Sequence, residues 1–441
     1  MTGQRQVWWL NPLWVAGGMG LLVSLAAYWI PDALYRAYWK TPKFFDAGAL
    51  WTTLACVALF AAGAAVAQWT RSERPIAQDW TTGAPWAAIH KTFWICFWAA
   101  LAGYAAWAGA AAARGADLAL VSGVLQGEKG TSYVMKEVYL VTISGVTTLT
   151  QLGLAALILG ILLGMATGWC KVAVPLVLLY VLAAARALFN SERLAVIELA
   201  IPTIVLVVRL GVLESRSWTA RRGLWLQFAP VMGAGALVGL FGASEYFRSW
   251  STFYSGGKQS FWEFVLLRLT GYYVTALNNG ALLVSRLETI GGPYFTLHFL
   301  WRLPLFNTLA HAVYPNLQLD NLDVDPYMSV LEREANPEFN NGGGLLLPMI
   351  DYGFVGSLLF WLLAGLLCGA AYRQFQEKRP AGLLFYPLLF TGVVEMVRIL
   401  YWGEGRVVTA YLALFPVVWM WTAACRRAHY QRRQLVHQES L

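Results

Sequence analysis

The chain is short of charge. Asp, Glu, Lys and Arg make up 13% of its 441 residues, 58% are hydrophobic, and the mean hydropathy is +0.52. Soluble domains carry about 25% charged residues, so a water-soluble globular protein is excluded. Cysteine is scarce as well: Cys56, Cys96, Cys170, Cys368 and Cys425 stand singly in or beside apolar runs, with no C-x-x-C. That argues against a disulfide framework or a thiol redox motif and leaves small packing residues. G-x-S-x-G, G-x-x-x-x-G-K-[ST] and H-E-x-x-H are all missing, which removes the hydrolase elbow, the P-loop and the zinc-protease helix. No feature calls for a cofactor.

What the chain has is long apolar stretches, continuous rather than alternating, as membrane helices require and β-barrel strands do not. Runs of about 17–25 residues predict about ten spans, near 12–30, 47–68, 91–113, 148–169, 172–188, 194–213, 224–243, 345–372, 382–400 and 406–424. Only Trp169, Cys170 and Lys171 separate the fourth from the fifth. The first run reads as a retained span rather than a cleaved signal. The expected fold is an all-α polytopic transmembrane helix bundle with a large outward-facing, mostly helical loop. Residues 1–243 hold about seven spans, 244–344 the loop, and 345–441 about three spans and a basic tail.

The net charge of +8 suggests nucleic acid at first sight. Its cations, however, collect in short loops and the tail: Arg71, Arg74, Lys91, Lys171, Arg216, Arg221, Arg222, Arg373, Lys378, Arg379, Arg426, Arg427, Arg432 and Arg433 all fall on one side of the predicted spans. By the positive-inside rule that side is cytoplasmic and both termini are inside; no nucleic-acid partner is expected. Ser244–Gly344 then faces outward. Within it, Phe261, Val265, Leu269, Tyr272, Tyr273 and Leu277 recur at three- and four-residue steps, predicting a helix over Lys258–Thr289 and, after Gly291, Gly292 and Pro293, a shorter one over Tyr294–Phe306. Such helices either lie on the outer face of the bundle or dip into it.

Ionisable groups near membrane depth are costly and need an explanation. The outward half supplies Arg186, Arg193 and Glu198, then Glu395, Arg398, Glu404 and Arg406; the loop adds Arg248, Lys258, Glu263, Arg268, Arg286, Glu288, Arg302 and His311. Singly, Arg186 and Arg193 read as snorkelling side chains and Glu395–Arg398 as an i,i+3 pair. Together, outward arginines run against topology bias and point to a site for a multiply charged anion, whose oxygens suit the planar guanidinium fork. Glu198 and Glu395, in a low-dielectric setting, could accept a proton from a sugar hydroxyl. Asp351, near Gly353 and Gly356, reads equally as a helix-packing or capping residue and as a functional one. Asp320, Asp323 and Asp325 lack the Gly and the twelfth-position Glu of a calcium loop, so no metal is expected.

The segment Asn336-Pro337-Glu338-Phe339-Asn340-Asn341-Gly342-Gly343-Gly344, leading into a span with Asp351-Tyr352-Gly353-Phe354-Val355-Gly356, resembles the junction shared by Wzy-type O-antigen and exopolysaccharide repeat-unit polymerases. The Ser191-Glu192-Arg193 turn resembles their earlier Arg-bearing segment. The motif covers about twenty residues, while the architectural likeness covers most of the chain. Positions matching the family pattern are Arg193, Asn340, Asn341, Asp351 and Gly353. The resemblance implies a GT-C-like membrane glycosyltransferase in the bacterial inner membrane, its large loop periplasmic. Such an enzyme joins undecaprenyl-diphosphate-linked oligosaccharides into O-antigen, capsule or exopolysaccharide and releases the lipid diphosphate. It implies no metal or cofactor; membrane lipid, a chain-length regulator and a flippase would be its partners.

The expected catalytic carboxylates are Glu198, Asp351 and Glu395. Diphosphate and substrate contacts are expected from Arg186, Arg193, Arg268, Arg286, Arg302, Asn340, Asn341, Arg398 and Arg406. The long loop then reads as a lid, with its Asn-Gly-Gly-Gly end as the hinge. An O-antigen ligase is the near alternative; ligases carry a His near the end of the loop, whereas His311 lies some thirty residues before the next span, which favours the polymerase. A transporter or lipid-linked oligosaccharide flippase would predict paired repeats and broken helices, and no repeat is visible. A purely structural subunit leaves the outward arginines unexplained.

Overall fold

A computed structural model describes residues 7–70, 80–126, 128, 130–143, 145–190, 192, 194–214, 220–246, 250, 254, 256, 259–301, 312–313 and 326–439. Among these the chain is all helix and turn, without a strand. The main helices are α1 (Pro12–Trp29), α2 (Ala47–Trp69), α3 (Trp86–Ala113), α4 (Val146–Thr167), α5 (Ala173–Phe189), α6 (Leu194–Val212), α7 (Ala229–Glu245), α8 (Phe261–Arg286), α9 (Leu347–Gln376), α10 (Pro380–Glu395) and α11 (Gly405–Glu439). Seven of them, α1–α4, α6, α9 and α11, are long and apolar enough to cross a membrane, while α5, α7 and α10 are shorter apolar helices.

The helix pattern follows from composition. From Leu152 to Gly164 helix α4 is apolar all round, so this part has no face to give to solvent; it sits at the centre against α3, α5, α6 and α11. The longest shared seam joins α2 and α9. There Gly365 and Gly369, four apart, face the backbone of Phe60 and Ala64, and a Cβ at either would run into a carbonyl oxygen. Small residues at this spacing let two membrane helices touch along their backbones. At one end of the bundle Arg209 is buried and pairs with Glu214 at 2.6 Å, which Lys378 shares at 2.9 Å. Helix α11 runs past the predicted 424 into the basic tail, because Ala, Arg and Gln sustain a helix after hydropathy ends.

The loop helix forms close to its predicted bounds, as α8, opened by Ser260, whose side chain accepts from the Glu263 amide at 3.3 Å. It is embedded rather than laid on top. Val274–Leu283 is buried without interruption, and α8 packs on α1, α7 and α9. Two buried amides make this possible. Asn278 Oδ1 accepts from the Phe44 and Phe45 amides at 2.6 and 3.0 Å, and its Nδ2 donates to the Pro42 carbonyl at 2.9 Å. Asn279 Nδ2 donates to the carbonyls of Phe339 and Asn341 at 2.6 and 3.0 Å. Each amide satisfies backbone groups that burial would otherwise orphan.

The second predicted loop helix is cut down to His298–Trp301 among the described residues, with turns at 294–297. The cause is Asp351, which draws the Phe295 and Thr296 amides to itself and away from a helical ladder. The expected glycine hinge differs too. Gly343 has φ of +70°, and a Cβ there would strike the Ala276 carbonyl oxygen; the Gly343 amide donates to the Arg398 carbonyl at 3.2 Å. The strand of glycines is a close-packed crossing between α8 and the turn after α10. Its small size serves contact, not swing.

Candidate functional site

A cleft of about 1300 Å³ opens where the α5–α6 turn, the α10–α11 turn, α7 and α8 meet. Its floor is polar: Asn190 and Glu192 from the first turn, Glu395, Arg398, Glu404 and Arg406 from the second. Part of the lining is apolar: Leu194 and Ile197 of α6, and Leu237, Leu240 and Phe241 of α7. Arg268, Leu269, Tyr272 and Tyr273 of α8 line the cleft next to α7, where Phe241 meets Tyr272 edge-on at 5.5 Å. Above lie Glu332, Glu338, Asn340 and Asn341 from the end of the long loop, and Tyr133, Lys136 and Glu137 from the segment before α4.

The floor is a chain of ion pairs. Arg406 donates to Glu192 at 2.9 Å and to Glu198 at 3.2 Å, and Arg186 pairs with the second oxygen of Glu192 at 2.5 Å. Glu198 is 3% exposed, and α6 presents it one turn below the α5–α6 turn. Burial pushes the Glu192 carboxyl up, but Arg406 and Arg186 together outweigh it and hold the group down at about 2. Arg398 reaches back to Glu395 through Nε and Nη2, both at 2.8 Å, so the i,i+3 pair forms. On α8 Arg268 bridges Glu245 at 2.9 Å and Glu338 at 2.6 Å, over the faces of Phe264 and Phe339.

Of the residues singled out from sequence, Arg268, Asn340, Asn341, Glu395, Arg398 and Arg406 meet around this one cleft. Arg186 and Glu198 stand behind its floor and line a small neighbouring cavity with Tyr104 and Thr150. Arg286 lies elsewhere, paired at the surface with Glu334 at 2.7 Å. Arg193, Arg302, Arg248, Lys258, His311 and the Asp320–Asp325 stretch lie outside the described residues. Among those described, no three His, Cys, Asp or Glu side chains are grouped closely enough to hold a metal ion.

Asp351 is also away from the cleft. It is fully buried and accepts from the Phe295 amide at 2.8 Å and from both the amide and hydroxyl of Thr296 at 2.7 Å. Tyr352 Oη joins the same Thr296 hydroxyl at 2.6 Å. Gly353 follows with φ of +69° and ψ of −175°, a conformation reserved for glycine, and kinks α9 there. Asp-Tyr-Gly is thus a clamp that fixes the 294–296 segment on the helix.

Glu192, Glu404, Tyr272 and Tyr273 line the cleft too, although none is among the expected site residues. Glu192 is the hub of the floor and sits inside the Ser191-Glu192-Arg193 turn; the usable signal was a carboxylate beside an arginine in a very short outward turn. Tyr272 and Tyr273 were hidden because they read as part of the apolar period of the loop helix. Comparison with family models, with curated proteins and with solved structures returns no match, so the reading of the site rests on its own chemistry.

Proposed function

We propose that the protein is a membrane glycosyltransferase of the Wzy type. It polymerises undecaprenyl-diphosphate-linked oligosaccharide repeat units at the periplasmic face of a bacterial inner membrane, through about ten spans with both termini cytoplasmic. The observation that carries this reading is the mixed lining of the cleft. A charged floor under tyrosines and amides suits a sugar diphosphate, and the apolar part, Leu194, Ile197, Leu237 and Leu240 on helices of the membrane domain, suits the chain that anchors it.

The ion pairs fit that task. Arg406 uses Nη1 and Nη2 on Glu198 and Glu192, and Arg398 uses Nε and Nη2 on Glu395. A guanidinium has five N–H donors in a rigid fork, so each arginine keeps donors for phosphate oxygens while the carboxylates hold its plane fixed. Charge growing on the leaving diphosphate then meets donors already oriented. Tyr272 and Tyr273 offer faces for sugar rings, and Asn340 and Asn341 offer amide donors and acceptors at the roof.

Deleting the gene and separating surface polysaccharide on a gel tests the proposal. Single repeat units with no long chains are the expected product. Unchanged chain length refutes polymerisation, and long chains left on the carrier lipid assign the ligase reaction instead.

A further inference from the structure

The arginine pairing has a consequence for the base. Deprotonating a sugar hydroxyl needs a carboxylate that is in the cleft and not already committed. Glu192, Glu198 and Glu395 each accept from an arginine through at least one oxygen, so their negative charge is already shared with a cation. Asp351 is enclosed by three donors of the 295–296 segment and does not line the cleft. Glu404 does line it, between Arg398 and Arg406, and among the described residues its carboxylate makes no hydrogen bond or ion pair.

Its backbone is held firmly. The Glu404 amide donates to the Tyr401 carbonyl at 3.1 Å, and its own carbonyl accepts from Val407 and Val408, both at 3.2 Å, as α11 begins. The flanking glycines let another segment press close: a Cβ on Gly403 would stand 2.8 Å from the Thr296 carbonyl oxygen, and one on Gly405 3.6 Å from Phe299 Cβ. That segment is the one Asp351 clamps. A line of contact therefore runs from Asp351 through Thr296 to Gly403 and on to Glu404.

We propose that Glu404 is the general base of the transfer and that Asp351 is its positioning residue; this rests on the polymerase reading. The acceptor O–H bond breaks and its proton passes to a Glu404 carboxylate oxygen. The freed oxygen pair forms the new C–O bond at the donor's anomeric carbon. The bond from that carbon to the diphosphate breaks, and its electron pair leaves with the diphosphate beside Arg406 and Arg398. With no hydrogen bond or ion pair among the described residues, the Glu404 carboxylate has a lone pair open to the proton.

The test uses the deletion strain complemented with the full-length protein carrying a C-terminal tag for quantitation. Glu404→Gln, close in shape, and Glu404→Ala are both expected to cut long-chain polysaccharide at least ~100-fold at wild-type protein level, the usual scale of a lost general base. Spheroplasts of the Glu404→Ala strain, loaded with their own accumulated lipid-linked units, should resume chain growth in sodium formate, which can occupy the vacated space and take the proton. Glu404→Gln leaves no such space and should not respond. Asp351→Asn should reduce chain growth by roughly tenfold and ignore formate, because it misplaces the base without removing it. Wild-type chain length in either Glu404 variant overturns the assignment, as does a Glu404→Ala defect that formate fails to relieve. Unchanged polysaccharide in the deletion strain itself overturns the polymerase reading, and that comparison is made before any variant is scored.

Discussion

At the scale of single residues, the floor is governed by the cost of burying charge. Glu198 is 3% exposed and Arg406 is its partner. Arg406→Ala would remove the arginine that hydrogen-bonds that buried carboxylate, and breaking a buried pair typically costs about 3–5 kcal/mol. We expect a matching fall in the thermal midpoint of the purified protein in detergent, and recovery of stability, but not of chain growth, in Glu198→Leu/Arg406→Met. If the double variant is no more stable than Arg406→Ala, the pair is not the source of the loss. Glu192 sets a pH window. Its folded carboxyl is held at about 2 against an ordinary value of 4.5, so its contribution is fully present above about pH 4.5 and disappears as pH falls toward 2. The Glu192-dependent difference in thermal midpoint between wild type and Glu192→Gln should be flat from pH 8 to 5 and shrink below 4.5; a change centred near neutrality would contradict the pairing.

At the scale of elements, α8 is the part on which the cleft depends and the part that sequence predicted best in position and least in environment. Its three- and four-residue apolar steps fixed where the helix lies. They could not show that it is buried, because the groups that admit it, Asn278 and Asn279, are polar and read as surface. Their partners are the carbonyls and amides of Pro42, Phe44, Phe45, Phe339 and Asn341, between 60 and 236 positions away in sequence. The same distance in sequence hid the Arg406–Glu192 and Arg268–Glu338 pairs: single charges were legible as out of place, their partners were not. Asn278→Ala would orphan two amides and a carbonyl at once, and at roughly 1–3 kcal/mol for each unsatisfied buried group we expect a loss of about 3 kcal/mol or more. Faster amide hydrogen exchange confined at first to residues 41–46 would mark this mechanism; uniform loosening of the whole bundle would argue against it.

At the scale of the whole molecule, hydropathy located the apolar helices because each must satisfy its backbone internally in lipid. Orientation remains the prediction to check. Helix α5 places the exposed Cys170 and the cleft residue Asn190 at opposite ends, with a rise of about 25 Å between them. In intact cells a membrane-impermeant maleimide should therefore label Glu332→Cys, in the roof of the cleft, and reach Cys170 only after the inner membrane is opened. The reverse pattern would place the cleft on the cytoplasmic side and refute the proposed reaction.

The contact that runs from Asp351 through Thr296 to Gly403 joins three stretches of chain that are far apart in sequence. Its consequence is hereditary. A larger side chain at position 403 has room only if the 295–296 backbone retreats, and that backbone retreats only if the carboxylate at 351 lets go. We therefore expect the three positions to vary together, a change at one being tolerated only with change at the others. A saturation library of this gene, selected for folded protein, should return these positions as correlated sets, while exposed residues of α9 such as Val355, Leu359 and Leu363 diverge freely.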